Sequence, residues 1–434
     1  MSRVSFKALA VWLLAAPAGA ADLPYAEPVF PQLDSAQIEL GQLLFYDPIL
    51  SGSKTVSCAT CHHPKFATGD AVSLGLGDGG SGLGPDRVVD TDNLPEQRIP
   101  RNAPPLFNLG ASEFTVFFHD GRLEQDATRA SGIRTPLGAE MEMGFASALS
   151  AQSMFPVLSP DEMAGHYAEN DVAQAVRQGL LTGPGGAWDI LAQRVAAIPE
   201  YRARFDDVIG EEAIGFTDIS DAVAAFLDFE WRGVASPFDL YLRNGTEMDP
   251  AAMRGMDLFY GKADCASCHA GRFQTDHDFH AIAMPQIGPG KAARFESHAR
   301  DTGRMRVTGD PEDAYAFRTP PLRNVAQTGP YGHSGAYATL EGVVRHHLDP
   351  VASLRTYDIS QAVMPGLDAD DLRVMSDVEE VDAIAAANDL APMTLSDAEV
   401  DDLIAFLNAL TDPQSIRGAL GVPDAVPSGL PVDR

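Results

Sequence analysis

The chain has 434 residues and a formal net charge of −30. That excess of acid argues against nucleic acid or an anionic membrane surface as a partner, and it permits docking to a protein with a basic face. The length is more than one small core needs and suggests two domains.

Residues 1–20 carry Arg3 and Lys7, then the apolar run ALAVWLLAA, then Ala18-Gly19-Ala20. This is the pattern of a secretory signal cut before Ala21, with an uncut anchor as the alternative. The run is too short to span a bilayer, and no later run of about 18 apolar residues follows. An exported protein without a membrane span is therefore expected. Residues 21–33 are rich in proline and read as an extended leader. From Asp34 to Phe45, Ile38, Leu43 and Leu44 fall near helical spacing behind Asp34 or Ser35 as N-cap. Cys58-Ala-Thr-Cys61-His62 comes next. Residues 75–84, GLGDGGSGLG, hold six glycines in ten positions and must be loop. No Gly-Lys-Ser/Thr follows, so a phosphate loop is not supported.

Residues 217–231, TDISDAVAAFLDFEW, read as an N-capped amphipathic helix with Val223, Phe226, Leu227 and Trp231 on its apolar face. SPFDLYLRNG reads as the link to a second unit beginning near Asp249. There DLFYGKADCASCH (257–269) repeats the logic of LFYDPILSGSKTVSCATCH (44–62) and ends at Cys265, Cys268 and His269. Near the C-terminus, Ser396-Asp-Ala-Glu399 is a capping box. It opens the helix VDDLIAFLNAL, which stops at Thr411-Asp-Pro413. Similar helices thus end both halves. Strand signals are few, and the expected fold is mainly α, with two cytochrome c-like haem domains and long loops. The domains expected after the signal are 21–235 and 236–434.

The two Cys-x-x-Cys-His motifs are the pattern of covalent haem c attachment. Two thiols spaced three apart can form thioethers with the two vinyl groups of one porphyrin. The adjacent His then binds the iron through a neutral imidazole nitrogen. All four cysteines of the chain are used in this way. Two zinc half-sites would have to meet across the gap between the motifs, and would leave both histidines unexplained.

Beyond these motifs, LGQLLFYDPILSGSKTVSCATCH, RNAPPLFN, FFHDGRLEQDA, the EMG at 142–144, RTPPLRNVAQTGPYGHSG and TLEGVV resemble the bacterial di-haem cytochrome c peroxidase and MauG superfamily. The resemblance covers most of the mature chain, apart from an insertion around 146–195 and parts of the last 80 residues. MFPVLSPDEMAGH within that insertion resembles MauG-like branches. The resemblance implies that the N-terminal haem reacts with hydrogen peroxide while the C-terminal haem stores or relays electrons.

Several residues follow from the resemblance. Ordinary di-haem peroxidases cap the resting N-terminal haem with a His in a Ser-x-Gly-His-Gly-like loop. Here that stretch is Ser73-Leu74-Gly75-Leu76-Gly77, and Leu76 cannot bind iron, which implies an open haem. His63 is a rival ligand, better read as a surface or propionate neighbour. Peroxide cleavage needs a group that moves a proton between the two oxygens. Glu142, Gln125 and Pro136 match the family's catalytic positions, with Glu140 as an alternative to Glu142. For the sixth ligand of the second haem, Leu340, Val343, Val344 and His347 lie on one helical face and His346 is rotated away by about 100°. His347 matches the family's Met or Tyr position; Met284 or Met364 is the alternative. Two imidazoles imply a lower potential than His/Met ligation does.

His119 stands where the family's FFWDGR motif has a relay Trp, and it is harder to oxidise than indole. Phe118 and Tyr331 are substitute candidates. A calcium held by Asn102, Thr328 and Pro330 is implied, and oxygen ligands suit that hard cation. His333 and His280 are expected to support or pack near the haems. The overall expectation is a periplasmic peroxidase or oxidase whose reductant is a small cytochrome or a side chain of a protein partner, with a homodimer as the family's frequent state. An electron-transfer cytochrome without peroxide chemistry is the contrasting class.

Overall fold

The computed structural model describes residues 23, 27–166, 169–292 and 296–434; the expected signal segment lies outside them. Helices dominate. The strands form three short antiparallel sets: Gly80–Ser81 with Val88–Val89, Val116–Phe117 with Leu123–Gln125 and Ile133–Arg134, and Phe279–His280 with Phe317–Arg318.

Each half is built on one crossing of two helices. In the first half, helix Ser35–Tyr46 packs on helix Phe216–Glu230. Asp34 caps the first helix by accepting from Ala36 N at 2.8 Å. The second begins at Gly215, whose N–H donates to Asp218 Oδ2 at 2.8 Å. Phe45 meets Phe226 and Trp231 with ring centres 5.3 Å apart in each case. In the second half, helix Pro250–Phe259 packs on helix Asp397–Ala409, and Phe259 meets Phe406 at 5.2 Å. The Ser396/Glu399 capping box forms as expected.

Glycines set the closeness of both crossings. A Cβ on Gly41 would overlap the carbonyl of Ala222 and crowd Phe226; one on Gly255 would overlap the carbonyl of Asp402 and crowd Phe406. Backbone cannot move aside as a flexible side chain can, so both positions need the bare Cα. The same device, four residues before the Phe of each LFY, marks the repeat at atomic level.

The stretch expected as a plain link contains a helix, Pro237–Asn244, opened by a Ser236/Asp239 capping box. Its Phe238 is buried in the second core. The glycine-rich loop folds around Arg87, which donates to the carbonyls of Leu76, Gly77 and Gly82. One guanidinium thus satisfies backbone acceptors that burial would otherwise strand. After its last helix the chain crosses back to the first half. Val426 joins the first core, and Glu230 accepts from Leu420 N and Gly421 N at 2.7 and 2.8 Å. The halves are also tied by Arg101, which pairs with Asp120 at 2.8 Å and with Asp301 at 2.7 Å.

Candidate haem sites

The first motif forms a single helical turn, Cys58–Cys61, and His62 caps its end. His62 Nδ1 lies 3.0 Å from the Thr68 carbonyl. A ring nitrogen donating there leaves Nε2 as the atom free to coordinate. The second motif repeats this arrangement: His269 Nδ1 lies 3.1 Å from the Gln274 carbonyl. Burial lowers the pKa of both imidazoles, which keeps them neutral; for His269, where the nearby His347 adds to the effect, the value is about 4.

His347, on helix Leu340–Leu348, faces His269 with ring centres 6.4 Å apart and planes tilted by 54°. Its Nδ1 is held by the Val343 carbonyl at 2.7 Å. Neighbouring His346 is fully spoken for. Its Nδ1 meets Tyr337 OH at 3.0 Å and its Nε2 meets the Ile282 carbonyl at 2.8 Å. Met284 packs with Ala336 and Tyr337 in a separate small cluster, and Met364 is half-buried in a loop.

Around His62 lies a cavity whose wall includes Cys58, Cys61, Phe45, Leu106, Phe118, Leu149, Pro156, Met163, Val223 and Leu227, with Arg101, Arg122, Lys291, Asp70 and Glu162 as its charged members. Gly75 also borders it, and Leu76 beside Gly75 is buried. His63 is not part of this wall; its Nδ1 accepts from Lys65 N at 3.1 Å. His119 does line it, with Nε2 3.1 Å from the Asn102 carbonyl. Burial, reinforced by Arg101, pushes its pKa down to about 4.

Known proteins complete the comparison. Residues 35–247 match the family model described as di-haem cytochrome c peroxidase. The methylamine utilization protein MauG of Methylorubrum extorquens is 33% identical over 330 residues, 75% of this chain and 71% of that protein. The chain belongs to the di-haem cytochrome c peroxidase and MauG family. The cytochrome c551 peroxidase of Nitrosomonas europaea is 29% identical over 70% of this chain and 71% of that protein. A solved MauG-like protein associated with microbial copper homeostasis superposes with a TM-score of 0.58 at 27% identity, covering 92% of this chain and 97% of that one.

A member of this family is a haem oxidoreductase with two haem c groups, and peroxidase chemistry is the family's. The residues fit that cofactor. The first cavity joins a mostly apolar wall to two thiols and one imidazole, as a flat macrocycle requires, and its cations suit the macrocycle's carboxylates. Two imidazoles bound to one metal at about 2 Å each have ring centres about 6 Å apart, which the His269–His347 spacing matches. Zinc does not fit. The thiols form no disulfide, and burial pushes Cys58 and Cys265 up to about 12. The one cluster of metal-ligand types among the described residues is Cys268, Asp276 and His280, whose cysteine belongs to the second motif.

The other expected residues of this di-haem protein fall in different places. Glu142 is turned to the surface, where Oε1 accepts from Gly183 N at 3.0 Å. Gln125 is exposed on the middle strand of its sheet, opposite Ile133, and Glu140 is exposed too. Pro136 is also exposed, lining a cleft that shares Arg122 and Lys291 with the haem cavity. Asn102 sends its amide nitrogen to the carbonyls of Val72 and Ser73, at 2.9 and 3.2 Å. Its backbone N–H meets the His333 carbonyl at 2.9 Å, three residues beyond Pro330. Thr328 spends its hydroxyl on the Val325 carbonyl at 3.2 Å, leaving its own carbonyl as the ligand type expected there.

His333 stacks on Phe317 at 3.7 Å, and His280 pairs with Asp276 at 2.9 Å. Tyr331 donates to the Val325 carbonyl at 2.8 Å. Phe118 lies under the Arg122 guanidinium at 3.5 Å. Sequence reasoning missed Glu162, Asp70 and Lys291 in the cavity wall. The available signal for Glu162 was the PDEM stretch inside the insertion.

No helix among the described residues is long and apolar enough to cross a membrane.

Proposed function

We propose that this protein is a periplasmic enzyme that reduces hydrogen peroxide at the haem held by Cys58, Cys61 and His62. Cys265, Cys268, His269 and His347 would hold a second haem, which would supply storage or relay of the oxidising equivalents. When bound, haem supplies the redox iron for this chemistry. Thr68 and Gln274 orient the two proximal imidazoles through their carbonyls, and Val343 does the same for His347. Phe118, Pro156 and Val223 exclude water from the first cavity. Glu142, Gln125 and Pro136 are assigned to proton handling and to restricting the approach of peroxide; of the three, Pro136 borders the adjoining cleft.

One observation carries the reading. Leu76, buried beside the cavity, offers no ligand atom, and His119 has its Nε2 engaged with Asn102. A haem held there would lack a ligand from either residue and would supply a position for peroxide without prior reduction. The lower potential expected of His269/His347 ligation favours holding an oxidising equivalent for a protein side chain, as in MauG. His119 in place of the relay Trp favours the ordinary alternative, in which a small c-type cytochrome is the donor. Calcium at Asn102, Thr328 and Pro330, export with signal cleavage near Ala20, and a homodimer belong to the same reading.

A second reading has one observation in its favour. Met163 lines the first cavity, and its thioether as sixth ligand would make a di-haem electron carrier. Electron paramagnetic resonance of the oxidised protein, before and after stoichiometric peroxide, separates the readings. One high-spin and one low-spin haem, both signals collapsing on peroxide, supports the proposal. Two low-spin haems that react only after half-reduction mean an ordinary peroxidase, and two that never react mean a carrier.

A further inference from the structure

The cleft that Pro136 borders has a volume of about 500 Å³ and is walled by both halves of the chain. From the first half, strand Ile133–Arg134 pairs with Leu123–Gln125 and sets Arg134 opposite Glu124. The second half supplies Lys291, Arg306 and Val307. Arg304 ties the two walls together by donating to the Gly121 carbonyl at 2.9 Å. A cleft of this size, between two packed bodies, is where small-molecule sites occur.

Its charge runs against that of the chain. Out of 31 basic and 61 acidic residues, the wall collects five cations, Arg122, Arg129, Arg134, Lys291 and Arg306, and one carboxylate, Asp120. Asp120 is already paired with Arg101 at 2.8 Å. Arg122 and Lys291 also line the haem cavity, where they suit the macrocycle's carboxylates. Arg129, Arg134 and Arg306 line the cleft alone, so the haem carboxylates do not account for them.

These three have acidic neighbours outside the wall: Asp126 at 3.2 Å from Arg129, Glu296 at 3.6 Å from Arg306, and Glu124 against Arg134. A guanidinium has five N–H donors, and one such pair near the surface uses few of them and contributes little energy. The pairs therefore hold the arginines in place with donors to spare. Arg134 and Arg306 are the better sheltered, 26% and 28% exposed against 54% for Arg129. Ile133, Pro136 and Val307 add apolar surface to the wall. A bare inorganic anion gains nothing from that surface, whereas an organic body is drawn to it.

We propose that this cleft binds a small organic carboxylate, with its anionic head on the guanidinium groups of Arg134 and Arg306 and its apolar body against Pro136 and Val307. The forked donors of arginine match the two oxygens of a carboxylate. No electron or group moves in this binding. It adds a ligand class to a protein whose substrates in the reading above are peroxide and a redox protein.

The test uses holoprotein, checked by mass for two covalent haems, titrated with benzoate in a calorimeter at pH 7 and low salt. One benzoate per chain is expected, with benzamide and inorganic phosphate each about 10-fold weaker or worse. Arg134→Gln and Arg306→Gln should each weaken benzoate by about 10-fold, and Arg254→Gln, outside the cleft, should not. Absence of benzoate binding overturns the proposal, and so does wild-type affinity in both cleft variants. Benzamide or phosphate binding as tightly as benzoate also overturns it. Where a glutamine variant does not retain both haems, Arg134→Lys or Arg306→Lys decides, since lysine keeps the charge and loses the fork. Weaker binding then supports the assignment, and unchanged affinity overturns it.

Discussion

His269 and His347 face each other across a gap of 6.4 Å between ring centres, each with Nδ1 tied to a backbone carbonyl. The expected outcome of His347→Ala is a second haem that turns from low-spin to high-spin in its optical and paramagnetic spectra. His347→Met should keep it low-spin and raise its potential. A His347→Ala protein that stays six-coordinate would move the ligand elsewhere, and His346, bound at both nitrogens, is a poor substitute.

Gly41→Ala and Gly255→Ala each drive a methyl group into a facing helix backbone. Each is expected to cost about 1–3 kcal/mol, the usual range for overpacking. For halves of this size that corresponds to a melting point lower by about 2–4 °C per kcal/mol. Calorimetry of the two variants should show similar losses, since the two crossings use the same contact.

Arg101 joins the halves through Asp120 and Asp301, with all three side chains buried. Burial works to raise both carboxyls, but Arg101 overcomes it and holds each below the ordinary range. Because the folded values lie below the unfolded value of about 4, this stabilisation is complete above that pH. It is lost as pH falls through the folded values. Arg101→Met leaves buried Asp301 without its cation and Asp120 with Arg122 alone, and is expected to cost about 3–5 kcal/mol at neutral pH. Thermal melts from pH 7 down to 3 should show the wild-type advantage shrinking at the acid end.

Glu230 binds the returning C-terminal segment through two backbone N–H groups. Glu230→Ala strands both donors and is expected to cost about 1–3 kcal/mol. Limited proteolysis should then cut first near residues 419–421.

Glu142→Gln is expected to lower peroxide turnover by about 10²-fold if the EMG carboxyl handles the proton. Steady-state assays with a reducing dye measure this directly, and unchanged turnover would remove Glu142 from the machinery. Its surface bond to Gly183 requires the loop to turn inward before it can act.

Features repeating at fixed spacing were legible in the sequence. The two Cys-x-x-Cys-His motifs, the closing helices, and the Asp34 and Ser396 caps all follow from local pattern. What pattern could not show is where distant segments meet. Gly41 and Gly255 look like ordinary helix glycines until a second helix lies against them. Glu162 looks like one acid among many until burial and the glycine-rich loop set it in the wall of the cavity around His62. Glu142, prominent by motif, has a local partner that motif cannot foresee. Arg87 illustrates the same limit, because its value lies in three carbonyls that only the folded loop brings together.

The paired glycine crossings also order events in time. In each half the attachment motif lies between the first helix of the crossing and the helix that closes it, and the closing helix comes far downstream in the chain. Contacts so remote in sequence form late, because the intervening loop must first be drawn in. A half whose closing helix has not yet docked would leave its two thiols on an open segment. Closure then seals the thioethers into a finished wall. The spacing that makes each half slow to fold is the interval in which its cofactor can be installed.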